Sequence, residues 1–322
     1  MKLLKRLFLS LITTIALLAL AIYIVWMPSA QEEPYSLVTS WGTKGDGPGQ
    51  FNEPTGIAVS ENEVFVSDSR NKRIAIFDFD GNLIRVLGNT GATEEKLIRP
   101  MNLTIANKEL YVADYFADQI IVYTLEGKFV RRIGSAGSGP GQFSAPGGIA
   151  VAANGDLFVA DFYNQRVQHL RADGSFVRQW GVSKTVGVFD GKMNYPTDVA
   201  LSSKGILYIA DGYNDRILAY TLDGDLKTKW GGPFAMNIFG KFNGWFATVT
   251  GVTVGPEGNV FVADFYNDRI QKFSADGKFL NAFGVKSTGP THTAIAVAVA
   301  RDGTVFVADY ANHQVQKWQS AK

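Results

Sequence analysis

Six stretches of the chain share one pattern: VFVSDSRNKRI (residues 64–74), LYVADYFADQI (110–120), LFVADFYNQRV (157–167), LYIADGYNDRI (207–217), VFVADFYNDRI (260–270) and VFVADYANHQV (305–315). Their aspartates follow one another at intervals of 45 to 53 residues. A period of about 40 to 50 residues is typical of a β-propeller blade with four strands. The 34 glycines and the repeated Asp-Gly pairs favour many short strands joined by tight turns. The pattern therefore predicts an all-β fold, a six-bladed β-propeller.

Each copy has the same order: a small, apolar first strand, a second strand that ends in the aspartate, and two alternating outer strands. The last copy ends at Trp318 after its third strand. Near the other end of the chain, the segment 37–42 resembles the fourth strands that end in Trp180-Gly181 and Phe283-Gly284. We expect this segment to complete blade six, because pairing both ends in one sheet removes two exposed edges.

In combination, these motifs resemble the NHL repeat. They are Gly-Pro-Gly-Gln-Phe at 47–51 and 139–143, then Pro-x-Gly, Val-Ala-Asp-x-x-Asn-x-Arg and Asp-Gly, in a fixed order. The resemblance runs from about Tyr35 to Trp318 and implies a six-bladed propeller. Some copies depart from it. Gln replaces Arg at 119 and 314, and Val249 and Ala294 replace the Pro found at 54, 100, 146 and 196, which leaves the register of blades five and six open.

The N-terminal 28 residues differ from the rest and predict a signal-anchor segment, with 29–34 as a linker and 35–322 as the propeller. Lys2, Lys5 and Arg6 precede an uncharged run of 21 residues, from Leu7 to Met27. About 20 apolar residues suffice for a helix to span a bilayer, which favours a single transmembrane helix. Cleavage after residue 30 is the alternative. The cations at the start predict a propeller outside the cytoplasm, periplasmic or at the cell surface, or secreted after cleavage.

The six repeated aspartates are interpreted as a structural ring. They lie at the rim of what we call the top face, which carries the turns after the second strands and the connections from each fourth strand to the next first strand. Carboxylates there could hold a cation, but an aspartate at a strand end accepts hydrogen bonds from turn N–H groups and pairs with a nearby arginine. The ring comprises Asp68, Asp114, Asp161, Asp211, Asp264 and Asp309.

The residues after these aspartates are the first candidates for ligand binding. Large aromatic side chains occupy these positions in blades two to six, whereas blade one has Ser69 and Arg70. Exposed aromatics in a cluster indicate a protein, peptide or glycan partner, although packing between blades remained an equal alternative. The candidates are Tyr115, Phe116, Phe162, Tyr163, Tyr213, Phe265, Tyr266 and Tyr310.

The connection 231–248 is the longest and the most apolar, and long loops on rigid scaffolds often carry binding. We interpret it as one wall of a top-face pocket, with Phe234, Phe239 and Trp245 as candidate contacts. Phe242 is interpreted as the counterpart of Phe51. His292, before the first strand of blade six, completes the candidate set.

The sequence contains few side chains of the kinds that catalysis requires. The chain has no cysteine and three histidines. The amidating lyases of this propeller group, which the chain resembles in fold, carry metal-binding histidines near the first strands. The matching positions hold none; they are Thr55, Met101, Gly147, Thr197, Thr250 and Ile295. We therefore predict no metal or other cofactor, and no catalytic residue is assigned.

The leading hypothesis is a membrane-tethered binding or scaffold propeller that captures a protein, peptide or glycan on its top face. The alternative is a metal-dependent extracytoplasmic lyase or hydrolase that works in the central channel. Its cation would be held by the aspartate ring, or by His292 with top-face carboxylates such as Asp198. A net charge of +1 gives no support to nucleic-acid binding. We expect a monomeric propeller.

Overall fold

The structure is a computed structural model that describes residues 6, 10–18, 20, 26–89, 91, 95–284 and 292–321. Within these residues the chain forms six four-stranded antiparallel sheets and one short parallel pair, which confirms the six-bladed propeller. The first strands of successive blades contact one another all the way round, and that of blade six contacts that of blade one. The sheets therefore form a closed ring.

The strands of the blades are as follows. Blade one has β2 (Pro54–Val59), β3 (Glu63–Asp68), β4 (Arg73–Asp78) and β5 (Leu83–Leu87). Blade two has β6 (Pro100–Ala106), β7 (Glu109–Asp114), β8 (Gln119–Thr124) and β9 (Phe129–Ile133), followed by the parallel pair β10 (Ser135–Ala136) and β11 (Gln142–Phe143). Blade three has β12 (Pro146–Val151), β13 (Leu157–Asp161), β14 (Arg166–Leu170) and β15 (Phe176–Gly181). Blade four has β16 (Pro196–Leu201), β17 (Ile206–Asp211), β18 (Arg216–Thr221) and β19 (Leu226–Trp230). Blade five has β20 (Val249–Val254), β21 (Val260–Asp264), β22 (Arg269–Phe273) and β23 (Phe279–Phe283). Blade six has β24 (Ala294–Val299), β25 (Val305–Asp309) and β26 (Gln314–Ser320), with β1 (Tyr35–Trp41) as its outer strand.

Ring closure by the N-terminal strand is also confirmed. β1 pairs antiparallel with β26, and Leu37 faces Trp318 while Trp41 faces Val315. Both ends of the propeller are thus hydrogen-bonded in one sheet, so β26 is not left as an unpaired edge strand.

Blades five and six keep the register of the others despite their missing prolines. Val249 pairs with Asp264, and Ala294 pairs with Asp309, as Pro54 pairs with Asp68 in blade one. The strand, and not the proline, sets the register, because the buried apolar faces of the first and second strands must match.

The apolar core lies between the blades rather than within them. Six clusters of buried side chains each join two neighbouring blades, including blade six with blade one. Phe51, Phe77 and Phe306 fill the interface beside the closure. Every blade is therefore stabilised mainly by its neighbours, as in other repeat architectures.

Hydrogen bonds on the top face also link each blade to the next. Four residues after each repeated aspartate the backbone is left-handed, with φ between 51° and 60°. In five described blades, this residue's side chain accepts a hydrogen bond from the N–H of the residue just before or at the start of the next first strand. These inter-blade bonds join Asp118 to Ala145, Gln165 to Tyr195, Asp215 to Thr248, Asp268 to Thr293 and His313 to Glu53.

We expect Asp215→Ala to lower the free energy of unfolding by about 2 kcal/mol. The change leaves the Thr248 N–H, now 2.6 Å from the carboxylate, without its acceptor and places alanine at positive φ. Urea unfolding followed by circular dichroism measures the loss. Asp215→Asn is the matched control, since it keeps an acceptor oxygen and tolerates this backbone conformation. Equal losses in the two variants would show that the inter-blade bond contributes nothing.

The N-terminal segment is described only in part. Residues 10–18 are helical, and no helix within the described residues is long and apolar enough to cross a membrane. Much of the predicted span, Leu7 to Met27, lies outside the described residues, so the span stays a prediction without support from the fold.

Candidate functional site

The repeated aspartates are buried inside their own blades. Asp161 accepts hydrogen bonds from the Ser144 N–H at 2.7 Å, from Asn164 Nδ2 at 2.9 Å and from Arg166 Nε at 2.8 Å. Burial raises the pKa of Asp161, and these donors oppose that rise. The equivalent carboxylates also accept hydrogen bonds from their own turns and connections: Asp68, Asp114, Asp211, Asp264 and Asp309. The arginine pair recurs at Asp68, Asp211 and Asp264, whereas glutamine stands in place of the arginine in the blades of Asp114 and Asp309. The six aspartates therefore have a structural role, because each one connects the turn, the strand and the preceding loop of its own blade through hydrogen bonds.

Among the residues that the structure describes, no three His, Asp or Glu side chains come together in a group that could hold a metal ion. Two of the histidines have structural partners. His169 stacks on Phe158 and bonds to Asp156 at 2.8 Å, while His313 accepts the Glu53 N–H.

The aromatic pairs after the aspartates divide into an outer and an inner member. The outer residues Phe116, Tyr163, Tyr213 and Tyr266 are 63%, 52%, 47% and 52% exposed. The inner residues are partly covered and lie toward the axis. In blade four this inner position is Gly212, where a Cβ would lie 2.7 Å from Thr197 of a first strand. Each pair thus offers an exposed ring supported by a second, more buried residue.

The rings of blades two to four form one continuous cluster, which we call the aromatic arc: Tyr115, Phe116, Phe162, Tyr163, Tyr195 and Tyr213. Tyr195 lies between Phe162, at 4.8 Å between ring centroids, and Tyr213, at 5.2 Å. The sequence analysis missed Tyr195, although its place directly before the proline that opens β16 was a usable signal. Burial and a hydrogen bond with Tyr163 raise the pKa of Tyr115, so the Tyr115 hydroxyl stays protonated at neutral pH.

A second cluster lies on blades five and six. Phe265, Tyr266 and His292 pack together, with ring centroids 4.9 Å apart for Tyr266 and His292 and 5.6 Å for Phe265 and His292. His292 Nδ1 lies 3.1 Å from Asp268 Oδ1. Tyr310 joins the cluster through Phe265. The predicted residues of these two blades therefore do meet on the top face.

A charged patch on blade one interrupts the aromatic surface. Arg70 and Arg99 both pair with Glu53 at the entrance to β2. Tyr310 bonds to the same carboxylate, and the Arg99 guanidinium lies 5.8 Å from the centre of the Phe116 ring. A partner of the aromatic arc would meet polar groups at this edge.

The connection 231–248 differs from its prediction in one respect. Phe242 is exposed, whereas Phe246 is fully buried and its carbonyl accepts the Gly240 N–H, as that of Phe51 accepts the Gly45 N–H. The counterpart of Phe51 is therefore Phe246, and the assignment to Phe242 is wrong. The physical reason is the length of chain that leads back to the blade's aspartate: Phe246 lies 18 residues before Asp264, close to the 17 residues between Phe51 and Asp68, whereas Phe242 lies 22 residues before it.

Trp245 contacts the N-terminal segment of the same chain. Its Nε1 donates to the Trp26 carbonyl, and Asn243 Nδ2 donates to the Pro28 carbonyl at 3.0 Å. Phe234 packs edge-on against Trp26, with centroids 4.7 Å apart. The loop thus holds the segment that precedes the propeller, and Phe239 remains fully outside these contacts.

Asp198 lies in the central channel and not on the top face, which corrects the prediction. It accepts hydrogen bonds from the N–H groups of Val199 and Val252 and from Asn102, and it fills the space beside Gly148, where a Cβ would lie 1.8 Å from Oδ1. The crowding of first strands around the axis explains this burial. Burial raises the pKa of Asp198 to about 7.

Comparisons with known proteins agree with this architecture. Residues 91–186 match a family described as a 6-bladed beta-propeller, and residues 51–77, 246–273 and 293–318 match the NHL repeat. The protein named brain tumor from Drosophila melanogaster is 32% identical over 77 residues, which cover 23% of this chain and 7% of that protein. The chain therefore spans only a small part of that relative.

Several solved structures have a similar fold. A streptogramin B lyase is 15% identical with a TM-score of 0.59, and the match covers 89% of this chain and 98% of that one. Virginiamycin B lyase from Staphylococcus aureus is 17% identical with a TM-score of 0.56, covering 89% and 100%. A Bacteroides thetaiotaomicron protein of unknown function is 16% identical with a TM-score of 0.65, covering 90% and 76%. At these identities the similarity shows the fold alone.

Proposed function

We propose that this chain, a six-bladed β-propeller with NHL repeats, is a membrane-tethered binding module that captures a protein, peptide or glycan on its top face. The observation that carries the proposal is the aromatic arc. Six rings from three blades are in mutual contact, and three of them expose about half of their surface. Rigid rings with polar hydroxyls are the side chains most often found at the centre of binding surfaces.

The scaffold supports this role because it holds the rings in place. Each exposed ring follows a fully buried aspartate whose hydrogen bonds fix the turn. A surface fixed before binding loses little conformational entropy when a partner docks. The charged patch of Glu53, Arg70 and Arg99 gives the arc one polar end, which would orient a partner.

The proposed location rests on the N-terminal segment. The uncharged run from Leu7 to Met27 has the length of a membrane span. Among its described residues, the large apolar side chains at 11, 12, 15, 17, 18 and 20 are all about half exposed or more, without a protein surface to cover them. The three cations before it would stay in the cytoplasm and place the propeller outside.

Phe116→Ala and Tyr163→Ala should each weaken partner binding about tenfold or more without changing stability, because truncating an exposed anchor removes contact area and leaves the blade cores intact.

The partner has to be identified before this effect can be measured. A photo-crosslinker at Tyr213 captures the partner in cells, and glycan and peptide arrays identify its class. Binding of the purified partner to each variant is then measured by calorimetry. Phe189→Ala is the matched control, since Phe189 is 58% exposed in a neighbouring connection. Unchanged affinity in both arc variants would refute the proposed surface.

A lyase or hydrolase acting in the channel is the second candidate, and Asp198 is the observation that favours it. A buried carboxyl with a raised pKa in a concave site is a common feature of catalytic acids and bases. Metal analysis of the purified chain separates the two proposals. A stoichiometric metal whose loss follows Asp198→Asn would favour the enzyme.

A further inference from the structure

The connection 231–248 presents an apolar surface that the aromatic arc does not use. Phe234 and Phe239 are 69% and 74% exposed, and three further apolar residues on the same loop are exposed as well: Met236, Ile238 and Phe242. Lys241 is the single charged residue in the whole connection. Exposed apolar residues grouped on one loop mark a contact surface.

This surface is held in a fixed shape. Phe234, Ala235 and Asn237 all have φ near 50° to 60°, a conformation that few residues other than glycine adopt. The Ala235 carbonyl accepts a hydrogen bond from buried Arg216 at 3.3 Å, and Ala235 itself is buried. Strained backbone with such anchors indicates that the exposure of Phe234 is built into the fold.

The loop lies where the N-terminal segment meets the propeller. Trp26, at the end of the uncharged run, contacts Phe234 and Trp245. From there the chain follows blade five: the Gln31 N–H donates to the Leu280 carbonyl at 2.8 Å, and Glu32 pairs with Lys272 at 2.7 Å. The position of Trp26 relative to the propeller is therefore set by several independent bonds.

We infer that the loop 231–248 inserts its exposed apolar side chains into the polar–apolar boundary of a phospholipid bilayer. The inference rests on the proposed membrane tether. A span that ends at Trp26 and Met27 brings the boundary of the bilayer to the loop, because Phe234 and Trp26 are in ring contact. Trp and Phe side chains beside a single lysine are the composition that interfacial segments favour.

Bilayer contact explains the loop better than a protein partner does. The same crevice holds the carbonyls of Trp26 and Pro28, so any partner of the loop must share space with the tether itself. The loop carries no acidic residue that the headgroups of anionic lipids would repel.

The absence of cysteine allows a direct test with the full chain. Single variants Phe239→Cys, Phe116→Cys and Leu17→Cys are labelled with an environment-sensitive fluorophore and reconstituted into phosphatidylcholine–phosphatidylglycerol nanodiscs. Spin-labelled lipids then quench only probes that reach the bilayer. Phe116 is the matched control, since it is 63% exposed on the same face, and Leu17 reports on the tether.

We expect strong quenching at Leu17, strong quenching with a blue shift at Phe239, and none at Phe116. Quenching at Leu17 without quenching at Phe239 would overturn the inference and leave the tether intact. A blue shift at Phe239 that lipids do not quench would place a second copy or another protein on the loop and would also overturn it. Equal quenching at Phe239 and Phe116 would show that the loop has no special role. An unquenched Leu17 would refute the proposed tether itself.

Discussion

Replacing Asp161 by Ala should lower the free energy of unfolding by about 3–5 kcal/mol, because it breaks a buried ion pair and leaves the charge of its partner without compensation. Arg166 is 2% exposed and keeps only neutral partners after the change. The Ser144 N–H loses its acceptor as well, and the Asn164 side-chain amide keeps only its bond to the Gly137 carbonyl. Urea unfolding of the purified chain measures the difference.

Two further variants make this expectation specific. Asp173→Ala, at an exposed turn of the same blade, should leave the unfolding midpoint nearly unchanged. Asp114→Ala should cost less than Asp161→Ala, since neutral Gln119 occupies the place of the arginine in blade two. If Asp161→Ala unfolds like the wild type but no longer binds its partner, the carboxylate is a ligand contact and the structural interpretation of the ring is wrong.

The stability of the propeller should fall as the pH rises from about 4 to about 7, and Asp198 should account for up to about 4 kcal/mol of that loss. Burial raises the pKa of this carboxyl from 3.8 to about 7. Between these values the folded state holds a proton that the unfolded state has released. The stabilisation is therefore complete below about pH 4 and is lost as the pH rises through about 7, at about 1.4 kcal/mol per unit.

The comparison with Asp198→Asn isolates this contribution. The variant cannot titrate at this position, so its unfolding free energy should decline less with pH than that of the wild type. Only the difference in slope matters, since a lost hydrogen bond to Val199 or Val252 shifts the variant equally at every pH. Parallel pH profiles would show that Asp198 is ionised throughout.

The fold could be predicted from the sequence because each blade repeats the same physical requirements. The aspartate must accept the turn N–H groups, so it recurs in all six copies, and the unpaired third strand at Trp318 required a partner that 37–42 could supply. The register of blades five and six, open at the sequence level, follows from Val249 and Ala294 pairing with their aspartates.

The site was only partly predictable, because its geometry depends on distances around the ring. Tyr195 lies in a connection of variable length, and only the closed ring brings it between Phe162 and Tyr213. The inter-blade bonds could not be predicted because the residues that accept them differ in type, from Asp118 and Gln165 to His313, and share only their backbone conformation and an acceptor atom. Asp198 was misplaced because no pattern reveals how closely the first strands approach the axis.

The pairing of β1 with β26 has a consequence for biosynthesis. The segment 35–41 leaves the ribosome early, but its partner at 314–320 is made some 270 residues later. Until then β1 has no partner strand and the face of blade one that packs against blade six is uncovered, so the nascent chain exposes a strand edge and an apolar surface that favour wrong pairing. We therefore expect folding intermediates of this protein to need protection by chaperones until translation has passed residue 320, when the ring becomes complete in a single late step.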